Sequence, residues 1–157
     1  MTPGIKIDDL NVPFKAALNK HGSKRERRFL NFTTIENFIY HLPKIKDRLK
    51  RELAYNNLKE YLLIINEMDE LEELDASLGD ELFSKYLLPL ANIYSRIGFT
   101  LFIRLPFLLL SFLIAEGLAF GFKAALWGHL LIDMGFLSYF LYQLYKGKQK
   151  KVYGLFI

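Results

Sequence analysis

Four side chains able to carry a proton or hold an ion stand in the most apolar part of the chain. Ser111 and Glu116 fall within FTLFIRLPFLLLSFLIAEGLAF, residues 99–120, and His129 and Asp133 within AALWGHLLIDMGFLSYFLYQLY, residues 124–145. Folding the chain about Phe122 sets Glu116 level with His129 and Ser111 level with Asp133. His129 and Asp133 are four residues apart, hence on one helix face. A carboxyl, an imidazole and a hydroxyl brought together in a medium of low dielectric can do three things. They can satisfy one another's hydrogen bonds and hold two helices together. They can pass protons or ions, with Asp133 as the titrating group. They can also form a polar interface with another subunit.

The elements that must position this set are two helices. A bilayer core of roughly 30 Å needs about 20 mostly apolar residues per helix, and each segment meets that length. Gly121, Phe122 and Lys123 leave room only for a short reversal, so the helices run antiparallel as a hairpin. Leu105, Phe107 to Leu110 and Phe112 to Ile114 favour insertion by about 0.3 to 0.6 kcal/mol each. Asp133 costs the second segment roughly 2.5 to 3.5 kcal/mol on the same scale, which makes it depend on the first segment or on a partner. Gly117 and Gly121 form a GxxxG pair, and Gly128 and Gly135 line a stripe roughly opposite His129 and Asp133, so small residues offer a second face for helix packing.

Charge sets the orientation. Arg96 and Arg104 precede the hairpin and Lys146, Lys148, Lys150 and Lys151 follow it, against Lys123 at the turn. Positive charge is retained inside, which places both termini in the cytoplasm. Tyr94, Phe99 and Phe102, with Tyr139, Tyr142 and Tyr145, fit an aromatic belt at the inner interface, and Trp127 marks the outer one. The N-terminus is too polar for the apolar core of a signal peptide, so the hairpin itself directs insertion.

Residues 1–32, with Pro3, Gly4 and Pro13 and no sustained period, read as a loosely ordered basic arm. Lys24, Arg25, Arg27 and Arg28 are bunched there. Residues 33–96 read as a cytoplasmic helical region. A short helix runs from Ile35 to Leu42, capped by Thr33 or Thr34 and stopped by Pro43. A longer one runs from about Lys44 to Asp75, with a break at Asn56 and Asn57. In its first half Ile45, Leu49 and Leu53 recur among Lys44, Lys46, Arg48, Lys50 and Arg51, a basic amphipathic pattern suited to lipid headgroups. In its second half Glu67, Asp69, Glu70, Glu72 and Glu73 take over and suit a basic partner. This order opposes the helix dipole, so the charges serve contacts rather than the helix. Ser77 and Asp80 resemble a capping box opening a last helix with the apolar stripe Leu82, Phe83, Tyr86, Leu87 and Leu90. That helix kinks at Pro89 and continues into the first membrane segment.

The sequence also excludes. Residues 67–81 hold eight acids and no base, but DASLGDE lacks the alternating oxygen ligands of a calcium loop, and no metal site is expected. The absence of cysteine removes disulfide and thiolate chemistry. The basic cluster has no zinc ligands, stacking platform or helix-turn-helix beside it, which argues against nucleic acid. No catalytic motif or cofactor motif is present, so no enzyme and no cofactor is expected. A cytoplasmic helical region followed by a two-helix hairpin and a basic tail resembles, in organisation, small inner-membrane subunits of type IV secretion and conjugation machines, which implies a bacterial inner membrane and a place in a secretion or conjugation apparatus.

The expected fold is therefore an all-α membrane protein. A cytoplasmic helical region precedes a transmembrane hairpin at residues 97–145 and a basic cytoplasmic tail at 146–157. The expected role is a non-enzymatic scaffold or accessory subunit, with the bilayer and other subunits, or further copies of itself, as partners. An oligomeric ion- or proton-conducting hairpin using Asp133 and a membrane-shaping hairpin are the alternatives.

Overall fold

The computed structural model describes residues 7–68 and 76–155. The chain is mostly helical, as expected of an all-α protein, and forms two compact units that divide between Phe99 and Thr100.

The first unit begins with α1 (Asp8–Lys20) and α2 (Lys24–Phe29). These residues are helical and packed rather than a loose arm. Leu10, Ala17 and His21 recur along one face and are fully buried, and α1 lies against α4 (Arg48–Glu67). Pro13 sits inside α1, and its carbonyl accepts from Asn66 Nδ2 at 3.0 Å, tying the end of α4 to the proline turn. Ser23 caps α2 in a reciprocal box. Its hydroxyl accepts from the Glu26 N–H at 3.1 Å, and the Glu26 carboxylate accepts from the Ser23 N–H at 3.0 Å. Hydrogen bonding to the Glu26 carboxylate, from the Ser23 hydroxyl first and then from the Ser23 N–H, holds that carboxyl below the usual range.

Helix α3 (Phe32–His41) enters through Asn31 in the left-handed region, where neither Thr33 nor Thr34 is needed as a cap. It yields at Leu42–Lys44 to a 3-10 turn containing Pro43. The expected long helix starts later than Lys44. Asp47 caps it by accepting from the N–H groups of Leu49 and Lys50, which, the Lys50 bond first, lowers the pKa of its carboxyl. Ile45 therefore lies outside α4 and turns into the core, while Leu49 and Leu53 stand exposed. The helix runs unbroken through Asn56 and Asn57 and ends at Glu67.

Next come α5 (Ala76–Leu82), a π-helical turn at Phe83–Leu87 and α6 (Leu88–Ser95). Proline lacks an N–H and crowds the carbonyl four residues back. The wider turn ahead of Pro89 accommodates this, with Leu88 N–H reaching Phe83 O. Of the expected stripe, Leu82, Tyr86, Leu87 and Leu90 are buried. Ser77, expected to open this helix as its cap, lies within α5, whose first described residue is Ala76.

The helix does not continue into the apolar segment. Gly98, at φ 84°, ends α6 in a left-handed residue, with Phe99 N–H bonded to Tyr94 O and Gly98 N–H to Ser95 O. Tyr94 and Phe99, expected at a membrane interface, are instead core residues. Tyr94 stacks on Phe38 with centroids 4.3 Å apart and donates its hydroxyl to the Phe38 carbonyl at 2.6 Å. His41 packs edge-on against Phe99. Burial pushes the phenols of Tyr94 and Tyr61 well above the usual range, and Tyr61 donates to Leu30 O at 2.9 Å.

The second unit is β1 (Thr100–Phe102), α7 (Leu105–Gly121), α8 (Leu126–Lys148) and β2 (Val152–Leu155). The strands pair in parallel, Thr100 opposite Val152 and Leu101 opposite Tyr153, so the helical hairpin is the crossover between them. The basic tail is thus tied back to the root of the hairpin through β2. Lys123 and Lys150 take left-handed backbones where α7 and α8 end. Ala124 N–H bonds Ala119 O, and Lys151 N–H bonds Lys146 O, which stops each helix in a Schellman turn.

Helix α7 starts six residues later than the expected span because Pro106 lies in its first turn and the chain before it is extended. At a rise of 1.5 Å per residue it is roughly 25 Å long. Among the described residues no helix is long and apolar enough to cross a membrane, so neither expected span, Phe99–Phe120 nor Ala124–Tyr145, is present as a membrane-crossing helix.

Candidate functional site in the helical hairpin

The turn at Phe122 and Lys123 returns α8 along α7, and the two helices meet on narrow faces. Leu108 is the one buried apolar residue of α7, and Phe112 meets Phe136 edge-on with centroids 5.3 Å apart. This alignment brings Glu116 and His129 together. His129 Nδ1 donates to Glu116 Oε2 across 2.5 Å, with about a quarter of each side chain exposed. The second carboxylate oxygen, Glu116 Oε1, is buried and has no hydrogen-bond partner. An imidazole–carboxyl pair of this kind can share a proton or pin two helices in register.

The other two polar residues of the expected set do not join it. Ser111 donates to Phe107 O at 2.8 Å on its own helix, the local bond a serine makes when nothing else is near. Asp133 is exposed and, among the described residues, makes no hydrogen bond or ion pair.

The small residues face outward. A Cβ added at Gly117, Gly121 or Gly135 would meet nothing within 4 Å, and at Gly128 it would touch only Ala124 of its own segment at 3.3 Å. None of the four glycines packs α7 on α8. Gln143, which sequence reasoning passed over, is buried on α8 with Nε2 unpartnered. A polar residue among leucines and tyrosines near a helix end carries no pattern that singles it out.

Lys44, Lys46 and Arg48 are exposed and Lys50 and Arg51 partly so. Arg48 is paired with Glu52 at 3.0 Å and Lys50 with Asp47 at 3.2 Å, which reduces the positive field expected over lipid headgroups. Lys44 lies over the Tyr40 ring at 4.8 Å. Of the acidic residues expected to meet a partner, Glu67 is exposed at the end of α4. Asp69, Glu70, Glu72 and Glu73 lie outside the described residues. Among the described residues no group of His, Asp and Glu could hold a metal ion.

The most extensive feature of the second unit is its surface. Leu109, Leu110, Leu113, Ile114, Leu118 and Phe120 on α7, and Leu126, Trp127, Leu131, Met134, Leu137 and Leu141 on α8, are all exposed. They point in every direction that the partner helix does not cover. A helix apolar all round is stable only when buried in protein or in lipid.

No protein-family model matches the chain, and comparison with curated proteins and with solved structures finds no match.

Proposed function

We propose that the chain is a membrane-anchored, non-enzymatic scaffold subunit, in which the α7–α8 hairpin is embedded in a bilayer and the first unit carries contacts to other proteins. The observation that carries this reading is the apolar surface of the hairpin. Its exposed leucines and aromatics run the length of both helices, and large exposed apolar surfaces mark sites of membrane or protein contact. Lipid covers such a surface on all sides at once, whereas a single protein partner covers one face.

The ends of the hairpin fit the same reading. Arg104, Lys146 and Lys148 lie at its root, and Phe122, Lys123 and Trp127 at its tip, residue types that favour headgroup regions. The root therefore belongs on the cytoplasmic side. At roughly 25 Å, α7 falls short of a 30 Å core by a few Å, a mismatch that a thinned bilayer accommodates for fractions of a kcal/mol per Å.

Because the chain has no cysteine, single cysteines at Lys123 and Lys148 report cleanly. In intact cells an impermeant thiol reagent is expected to label Lys123→Cys and not Lys148→Cys. Both variants should stay with the membrane pellet through alkaline extraction. Release of the chain by alkali removes the membrane reading. Retention with neither site labelled keeps the anchor but confines the tip within the bilayer.

A further inference from the structure

Asp133 is an exposed carboxylate on an apolar helix, with exposed Leu130, Met134 and Leu137 around it. Among the described residues no cation, Arg104 at the start of α7 included, forms an ion pair with it. No lysine or arginine occurs along α7, and on α8 none precedes Lys146. Lys123 is ten residues before Asp133 and Lys146 thirteen after, about 15 and 20 Å along the axis, too far for an ion pair. His129, one turn away, has its Nδ1 engaged by Glu116. A second copy related by a two-fold axis brings Asp133 toward Asp133, like charge against like.

Resting on the membrane reading above, we propose that Asp133 is the docking point for a different helix of the membrane, one that presents a single lysine or arginine at the same depth among apolar residues. Charge complementarity selects this occupant. A carboxylate held in a low-dielectric setting is costly alone, and a cation at contact distance with apolar packing around both offsets that cost. Leu130 and Leu137, one turn to either side, supply the apolar rim that excludes water from the pair.

The test uses the full chain in lipid vesicles, labelled with a fluorophore at Lys148→Cys, and synthetic leucine-based membrane-spanning peptides. One peptide carries a central lysine, one a central leucine and one a central aspartate. Energy transfer is expected to show the lysine peptide binding about tenfold or more tighter than the leucine peptide. That preference is expected to vanish with Asp133→Leu. With Asp133→Lys the preference should move to the aspartate peptide, which a misfolded variant cannot do. Equal binding of the lysine and leucine peptides by the unsubstituted chain overturns the proposal, as does self-association that Asp133→Leu abolishes. Flotation of the same samples separates the two levels. A chain that fails to float with vesicles loses the membrane reading and the docking point together. A chain that floats but ignores the lysine loses the docking point alone.

Discussion

His129 on α8 and Glu116 on α7, thirteen residues apart in sequence, meet across the hairpin through a 2.5 Å hydrogen bond. Removing either partner strands the other among apolar groups. Glu116→Leu and His129→Leu are each expected to lower the stability of the hairpin by about 1 to 3 kcal/mol, and the double replacement by less than their sum. Thermal unfolding of the four proteins in one detergent checks this. Additive losses would show that the pair does not couple the helices.

Tyr94 and Tyr61 each send a hydroxyl into the first unit's core, to Phe38 O and Leu30 O. Phenylalanine at either position leaves a buried carbonyl unpaired, and a loss of about 1 to 2 kcal/mol is expected in urea unfolding. Burial raises both phenols above the value near 10 of an unfolded tyrosine. A raised folded value means that this contribution is whole below about pH 10 and fades as pH rises beyond it, because the unfolded state releases its protons first. Alkaline unfolding should begin there, with tyrosinate absorbance appearing together with loss of helix.

Ser23 and Glu26 cap α2 reciprocally. Ser23→Ala is expected to cost about 1 kcal/mol and to bring the Glu26 carboxyl back up toward its ordinary range. For the unsubstituted chain the sign is the reverse of the tyrosines. A lowered carboxyl contributes above the unfolded value, about 4.3, and its contribution is lost as pH falls through the folded one. NMR titration of the Glu26 side chain in both proteins measures the shift directly, and an unchanged midpoint in Ser23→Ala would remove the capping box as its cause.

What was legible in the sequence was local and periodic. Leu82, Tyr86, Leu87 and Leu90 repeat at helical spacing and are buried, Pro43 stops α3, and the short turn at Phe122 and Lys123 folds the hairpin. What was not legible depends on contacts distant in sequence or on backbone geometry that hydropathy ignores. Pro13 hid α1, although Leu10, Ala17 and His21 recur on one face. Tyr94 and Phe99 resembled interface aromatics because they adjoin an apolar run, but their partners, Phe38 and His41, lie far earlier. Pro106 shortens α7 without lowering its apolar content. The pairing of Thr100 with Val152 spans the whole hairpin and leaves no local mark. In the site itself, relative depth paired Glu116 with His129. Depth alone could not tell that Ser111 and Asp133, though level, leave each other unbonded.

Trp127 reports most directly on whether the hairpin resides in lipid. It is the chain's single tryptophan, lies near the hairpin tip and is 75 % exposed. With the full chain reconstituted in vesicles, Trp127 emission is expected to shift to the blue, to be quenched by lipids carrying bromine or a spin label, and to be shielded from aqueous iodide. Emission unchanged by vesicles, open to iodide and untouched by lipid-borne quenchers would contradict the account.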